Sequence, residues 1–257
     1  MQKEEGAFES WAIVIKFYLK DIIDTITIDW ENISENNNLH FNRFVYRLKK
    51  FIDTYNEWVL CSKSIPPIYS NLVCNYPDKS EAANKNEFKE GDEGWLEDEY
   101  LANNKDSYDS MNRQLPTGIF KDIKSDKTHY TPGQNSCIDL WAIKDNIIYI
   151  FELKKPDNKR LGIISEIMFY TNLIYDIITN KIKYNVDKKM QDAINENHRG
   201  FGDFFKAIST GKIQRIESIM LAEKLHGLIT PELIKFINNS TRLKTCGINY
   251  SHETLNL

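Results

Sequence analysis

Residues 135–160 read "NSCIDLWAIKDNIIYIFELKKPDNKR", an apolar run that carries Asp139, Glu152 and Lys154 inside it. Successive side chains of a strand point to opposite faces. In "IIYIFELK", Ile148, Ile150, Glu152 and Lys154 therefore share one face, and Tyr149, Phe151 and Leu153 share the other. Both faces are mostly apolar, which marks a strand in the interior of a sheet. The preceding "CIDLWAIK" reads the same way, and the tight "KDN" turn joins the two as a hairpin with strands over 136–144 and 147–154. In such strands an ionised carboxylate or ammonium costs several kcal/mol unless it is paired or bound to a metal.

Working outward, "EGWLEDEYLANN" (93–104) predicts a short helix with Glu93, Leu96, Glu97 and Tyr100 on one face. A first strand is expected over 115–122, ahead of the hairpin. After it, "RLGIISEIMFYTNLIYDIIT" (160–179) is a helix apolar nearly all round, hence buried against the sheet. An irregular or helical insertion follows, then a strand in "IESIMLAEKL" (216–225), a helix opened by Thr230 and Pro231, and a last strand in "TCGINYS" (245–251). The order is α-β-β-β-α and then β-α-β, an α/β (α+β) chain with a mixed central sheet flanked by helices. Ahead of this region, residues 1–75 form an N-terminal helical region. Its apolar faces, Phe8 to Ile26 and Phe41 to Val59, flank the polar break "SENNN" and suggest an antiparallel helical hairpin. The polar stretch 75–92 separates it from residues 93–257.

The hairpin turn brings Asp139 across from the Glu152 end of the next strand. Two carboxylates with a lysine two residues beyond suit divalent-metal hydrolysis. Asp139 and Glu152 offer hard oxygen ligands for Mg²⁺, which keeps several waters and binds substrate phosphate. Lys154 would orient or help deprotonate the attacking water and offset charge in the transition state.

These residues resemble the PD-(D/E)xK nuclease superfamily, the restriction-endonuclease-like fold: Asp139, then Glu152-Leu-Lys154, in an α-β-β-β-α-β core. Ile138 stands where the name-giving proline would be. The resemblance covers residues 93 to about 225 and implies Asp139, Glu152 and Lys154 as catalytic residues, with Mg²⁺ as the cofactor and Mn²⁺ able to substitute. It places a further metal-ligating glutamate on the first helix, at Glu93 or Glu97, although acidic residues in a first helical turn also favour the helix dipole. Glu166 and Tyr170 occupy the position of the family's Gln-x-x-x-Tyr pattern, with Glu in place of Gln, and would support the site. Lys155, Lys159 and Arg160 would contact phosphates. The implied activity is cleavage of nucleic acid, DNA ahead of RNA, with a role in prokaryotic defence or mobile elements suggested by resemblance alone. The N-terminal helices would serve target binding, a homodimer or a partner protein. The alternative is a catalytically inactive module of the same fold that binds a protein or nucleic acid.

Bulk properties set the frame. With 257 residues, 41% of them hydrophobic, the chain can bury a core without staples. Cys61, Cys74, Cys137 and Cys246 lack CxxC spacing, and residues 1–30 lack a signal-peptide pattern, so a cytoplasmic protein is expected. The net charge of −4 excludes a generally basic nucleic-acid coat and leaves room for a local stripe, for which the lysines at 154, 155, 159, 181, 183, 188 and 189 are candidates. The five histidines follow no metal-ligand spacing, and no glycine-rich phosphate loop is present. In "RGFGDFF" (199–205), Arg199, Phe201, Phe204 and Phe205 offer stacking groups for a single strand or, as the simpler reading, a loop that packs its aromatics into the core.

Overall fold

The computed structural model describes residues 8–31, 38–77, 88–132, 136–156, 158 and 160–255. The chain is a mixed α/β protein with eight α-helices among those residues. Its main sheet has five strands in the order β10-β9-β7-β6-β4, formed by β4 (Ser110–Pro116), β6 (Cys137–Lys144), β7 (Ile147–Lys154), β9 (Arg215–Ala222) and β10 (Ile248–Thr254). β4 pairs with β6 and β6 with β7 in antiparallel fashion, whereas β9 pairs in parallel with β7 and β10 in parallel with β9. The α-β-β-β-α-β order is present as α3 (Glu93–Asn104), β4, β6, β7, α4 (Gly162–Ile178) and β9.

The β6–β7 turn consists of Asp145 and Asn146, with φ of 50° and 64°. Two residues at positive φ match the right-handed twist of the strands they join, and Asp and Asn tolerate that backbone. Alternation along β7 divides the core. Ile148 and Ile150 lie in the large cluster on the α4 face, whereas Phe151 and Leu153 pack with Leu96 and Tyr100 of α3 on the other. α4 buries side chains around most of its circumference because the sheet covers one side and the N-terminal helices cover the other.

The first strand departs from expectation. The predicted strand over 115–122 is split: β4 begins earlier, at Ser110, and ends at Pro116, while β5 (Ile119–Lys121) joins a second sheet of order β5-β3-β8 with β3 (Leu72–Cys74) and β8 (Ile182–Tyr184). Pro116 has no N–H to continue a ladder, and the Gly118 carbonyl accepts the Asn75 N–H at 2.8 Å, which draws the chain toward β3. The insertion before β9 is ordered as β8, α5 (Lys188–Asn195) and α6 (Phe201–Ser209). Phe201 and Phe204 are fully buried there, so the aromatics of "RGFGDFF" build core.

The N-terminal helices do not form an isolated hairpin. α1 (Phe8–Tyr18) stops short of the predicted Ile26 because the Lys16 ammonium reaches the carbonyls of Ile23 and Asp24 at 2.6 and 3.0 Å and folds the chain back. Residues 26–28 instead form β1 (Ile26–Ile28), which pairs in parallel with β2 (Val59–Cys61). α1 packs on α4 and on α7 (Pro231–Ile237), and α2 (Leu39–Thr54) packs on α8 (Thr241–Cys246). Buried residues from Ala12 to Tyr250 join one cluster. The opposite side of α1 exposes Trp11, Ile15 and Tyr18. Thr230 caps α7 as expected: its hydroxyl accepts the Leu233 N–H, with Pro231 in the first turn. Among the described residues all four cysteines are free, and no helix is long and apolar enough to cross a membrane.

Candidate active site

The β6–β7 ladder runs from Lys144–Ile147 to Leu140–Phe151 and then opens. Just beyond its last pair, one residue on along β6 and two along β7, the Leu153 N–H donates to Asp139 Oδ2 at 2.7 Å, so a side chain takes the place of a backbone partner. Glu152 shares the α4-side face with Ile148 and Ile150 and is 3% exposed. Lys154 Nζ donates to Glu152 Oε1 at 2.5 Å and pairs with Glu166 Oε2, on the first turns of α4, at 2.8 Å. The predicted trio of Asp139, Glu152 and Lys154 is thus brought to one end of the hairpin, with Glu166 against it.

Burial of this group sets its electrostatics. The Asp139 carboxyl is held well above its usual range by burial and by repulsion from Glu97 and Glu93, against the opposing pull of Lys154. Glu152 is raised by burial and by Asp139, again opposed by Lys154. Glu152 and Glu166 are in hydrogen-bond contact, which favours the proton on Glu152. Burial alone would raise Glu166 too, but Lys154 and the bonds from Glu152 and Lys154 outweigh it and keep this carboxylate ionised. Burial works against the charge on Lys154, yet Glu152, Glu166 and Asp139 outweigh it and hold the group as an ammonium. The Tyr170 phenol is pushed far up by burial and then by Glu152 and Asp139.

α3 contributes Glu97, which is 4% exposed, with half-buried Glu93 one turn earlier. Burial lifts Glu97 to about 7, although Arg113 pulls it down and Gln114 donates to it. Arg113 Nη1 lies 3.2 Å and Gln114 Nε2 3.1 Å from Glu97 Oε2. These two β4 residues were not anticipated. Their signal was the polar "NRQ" just before a proline, which reads as loop until β4 is known to be a sheet edge. Gln114 has a φ of 54°, in the left-handed region, and sits between the paired residues Arg113 and Leu115. A non-glycine residue there is a locally costly backbone and tends to occur where a side chain must be aimed.

The predicted phosphate-contacting residues are spread out. Lys155 points away from Lys154 and pairs with Asp92 Oδ1 at 3.0 Å, tying the end of β7 to the start of α3. Arg160 is exposed, and Lys159 lies outside the described residues.

Among the described residues no group of three or more His, Cys, Asp or Glu side chains converges on one point as a metal cage. A Mg²⁺ ion does not require one, because it keeps several waters and is commonly bound by one or two carboxylates plus substrate phosphate. Asp139 and Glu152 fit that requirement. Glu152 Oε2 is buried and receives no N–H or hydroxyl donor among the described residues; its neighbour is the Glu166 carboxylate, and two carboxylate oxygens brought together are acceptors that a cation would satisfy.

Beside Glu166 opens a cleft of about 240 Å³ lined by Arg43 and Arg47 of α2, Ser136, and Ser165, Glu166, Phe169 and Tyr170. Arg47 is clamped to Glu9 of α1 by Nε to Oε1 at 2.8 Å and Nη2 to Oε2 at 2.5 Å. Ser10 and Ser165 join α1 to the start of α4 through their hydroxyls at 2.7 Å. No family model matches the chain, and no curated protein or solved structure matches it.

Proposed function

We propose that this protein is a divalent-metal-dependent phosphodiesterase that hydrolyses nucleic acid, DNA ahead of RNA. The observation that carries the reading is the convergence of Asp139, Glu152 and Lys154 at one end of a buried hairpin, with Lys154 bonded to Glu152 at 2.5 Å. Asp139 and Glu152 would hold Mg²⁺, or Mn²⁺ in its place. The ion, when bound, would supply a Lewis acid and a more acidic water. To hold a cation Glu152 would have to be ionised, so metal uptake would release protons. Lys154 stays charged, which suits it to stabilising negative charge on the phosphoryl oxygens rather than to taking a proton from water. Glu166 orients the ammonium, and Tyr170 closes the site from the same helix. Glu97 is occupied by Arg113 and Gln114, so its part is to add negative potential beside Asp139.

Purified protein is incubated in Mn²⁺ with single-stranded, duplex and branched DNA and with RNA. Metal-dependent cleavage that Glu152→Ala and Lys154→Ala each reduce about a hundredfold or more supports the assignment. Unchanged activity in either variant overturns it. One observation favours a second reading, a module of the same fold that binds without cutting: Lys154 already occupies Glu152 Oε1. Calorimetry separates the two, since a binding module takes up no Mn²⁺ in either wild type or Asp139→Ala.

A further inference from the structure

We infer that the cleft between α2 and α4 is a phosphate subsite that holds a nucleic-acid backbone next to the bond being cut, with Arg43 as its principal contact. The inference rests on the nuclease reading for the identity of its ligand and on separate residues for its geometry. Three features of the cleft carry it.

The first is position. Glu166 lines the cleft and also pairs with Lys154 at 2.8 Å, so the space opens directly from the catalytic lysine. A strand lying with one phosphate at Asp139 and Glu152 would pass its neighbouring phosphate here.

Charge is the second. The lining brings two guanidinium groups, one of them paired with Glu9, to the edge of a carboxylate that is itself paired with the Lys154 ammonium, so cationic groups gather here in a protein whose net charge is −4. Guanidinium is the side chain whose planar fork matches phosphate oxygens. Arg47 also reaches electrostatically to Glu166 and helps keep it ionised.

The third is rigidity. Arg43 and Arg47 are four residues apart and so lie on one face of α2. α2 is bolted to α4 by two buried bonds to Asp176, from Lys50 Nζ at 2.6 Å and Tyr46 Oη at 2.9 Å. The Glu9 clamp fixes Arg47 as a wall of the cleft, while half-buried Arg43 borders the solvent side. Ser136 adds a hydroxyl that interacts with the Tyr170 phenol, which ties the far wall to the start of β6. Donors held on packed helices lose little conformational freedom when a ligand arrives.

The test measures fluorescence anisotropy of short labelled single-stranded DNA, duplex DNA and single-stranded RNA in EDTA, where nothing is cleaved. The variants are Arg43→Ala, Arg43→Lys and Ser136→Asp, with thermal melts to show that each is folded. Arg43→Ala should bind about tenfold more weakly and flatten the dependence of log K on log salt by about one unit, as for loss of one phosphate contact. Arg43→Lys should restore the salt slope and only part of the affinity, and Ser136→Asp should weaken binding through a different wall. Unchanged affinity and slope in Arg43→Ala and Ser136→Asp overturns the subsite. So does a wild type that binds none of the probes. Should Arg43→Ala not fold, Arg43→Lys and Ser136→Asp decide by the same readings. The nuclease reading is judged separately: loss of affinity in these variants without metal-dependent cleavage by wild type supports the subsite and removes the catalytic assignment.

Discussion

Asp139 accepts the backbone N–H of Leu153 at 2.7 Å, just past the last ladder pair of β6 and β7, Leu140–Phe151. A single carboxylate therefore both finishes the hairpin and faces the site, and its two tasks can be separated. Asp139→Asn keeps an acceptor for Leu153 and removes a charge that burial disfavours, so its urea midpoint should equal or exceed that of wild type. Asp139→Ala leaves the N–H unmet and should lose about 1–3 kcal/mol. Both should abolish Mn²⁺ uptake in calorimetry.

Lys154 lies between two carboxylates, with its side chain 13% exposed and that of Glu152 4% exposed. Removing one partner of a buried pair leaves the other uncompensated. Lys154→Met alone should destabilise by about 1–3 kcal/mol, because it leaves the ionised Glu166 without its cation, and Glu166→Gln added to it should recover much of that loss. Urea denaturation of wild type, both single variants and the double variant closes the cycle.

Glu97 gives the metal-free protein a pH dependence of definite sign. Its carboxyl ordinarily ionises near 4.5 and in the folded chain at about 7, raised by burial. The folded state thus holds this proton more tightly than the unfolded state. The resulting stability is complete below pH 4.5 and is lost as pH climbs through 7, a change of about 3 kcal/mol for this group. Asp139 and Glu152, raised in the same direction, add to the fall. Thermal melts in EDTA should therefore weaken from pH 5 to pH 8. Glu97→Gln should flatten the curve, and Mg²⁺ should restore stability most at the alkaline end.

Gln114 combines a φ of 54° with a hydrogen bond to Glu97. Valine, branched at Cβ, fits that backbone badly, so Gln114→Val should cost about 1–2 kcal/mol in backbone strain beyond the lost bond. Glycine relieves the backbone while giving up the bond, so Gln114→Gly should stay within about 1 kcal/mol of wild type. Midpoints in urea at constant slope provide the measurement.

The elements that could be read in advance are those with a long, regular pattern. Alternation over residues 147–154 placed Glu152 and Lys154 together and turned Lys155 away, and the structure has Lys155 on Asp92 instead. Apolar residues all round α4 announced its burial. The small sheet escaped notice because β3, β5 and β8 are three residues each, too short for any period to show. β4 was placed several residues late because an edge strand tolerates polar side chains such as Asn112 and Arg113. The end of α1 was missed for a different reason: apolar spacing continues past Tyr18, but a tertiary bond from Lys16 to Ile23 outweighs it. The arginine-lined wall could not be foreseen, because Arg43 and Ser136 are far apart in the chain and only the packing of α2, α4 and the start of β6 brings them to one cleft.

The two-residue turn at Asp145–Asn146 also bears on the order of assembly. The Asp139–Leu153 bond spans 14 residues, whereas the Ser10–Ser165 bond that seats α1 on α4 spans 155. Short loops close orders of magnitude sooner than long ones, and a hairpin forms in about 1–10 μs. The two carboxylates therefore meet in water, hydrated and screened, before the helices that desolvate them dock. Docking is the step that raises their proton affinity, so the rate of that late step, unlike that of the hairpin, should slow as pH rises.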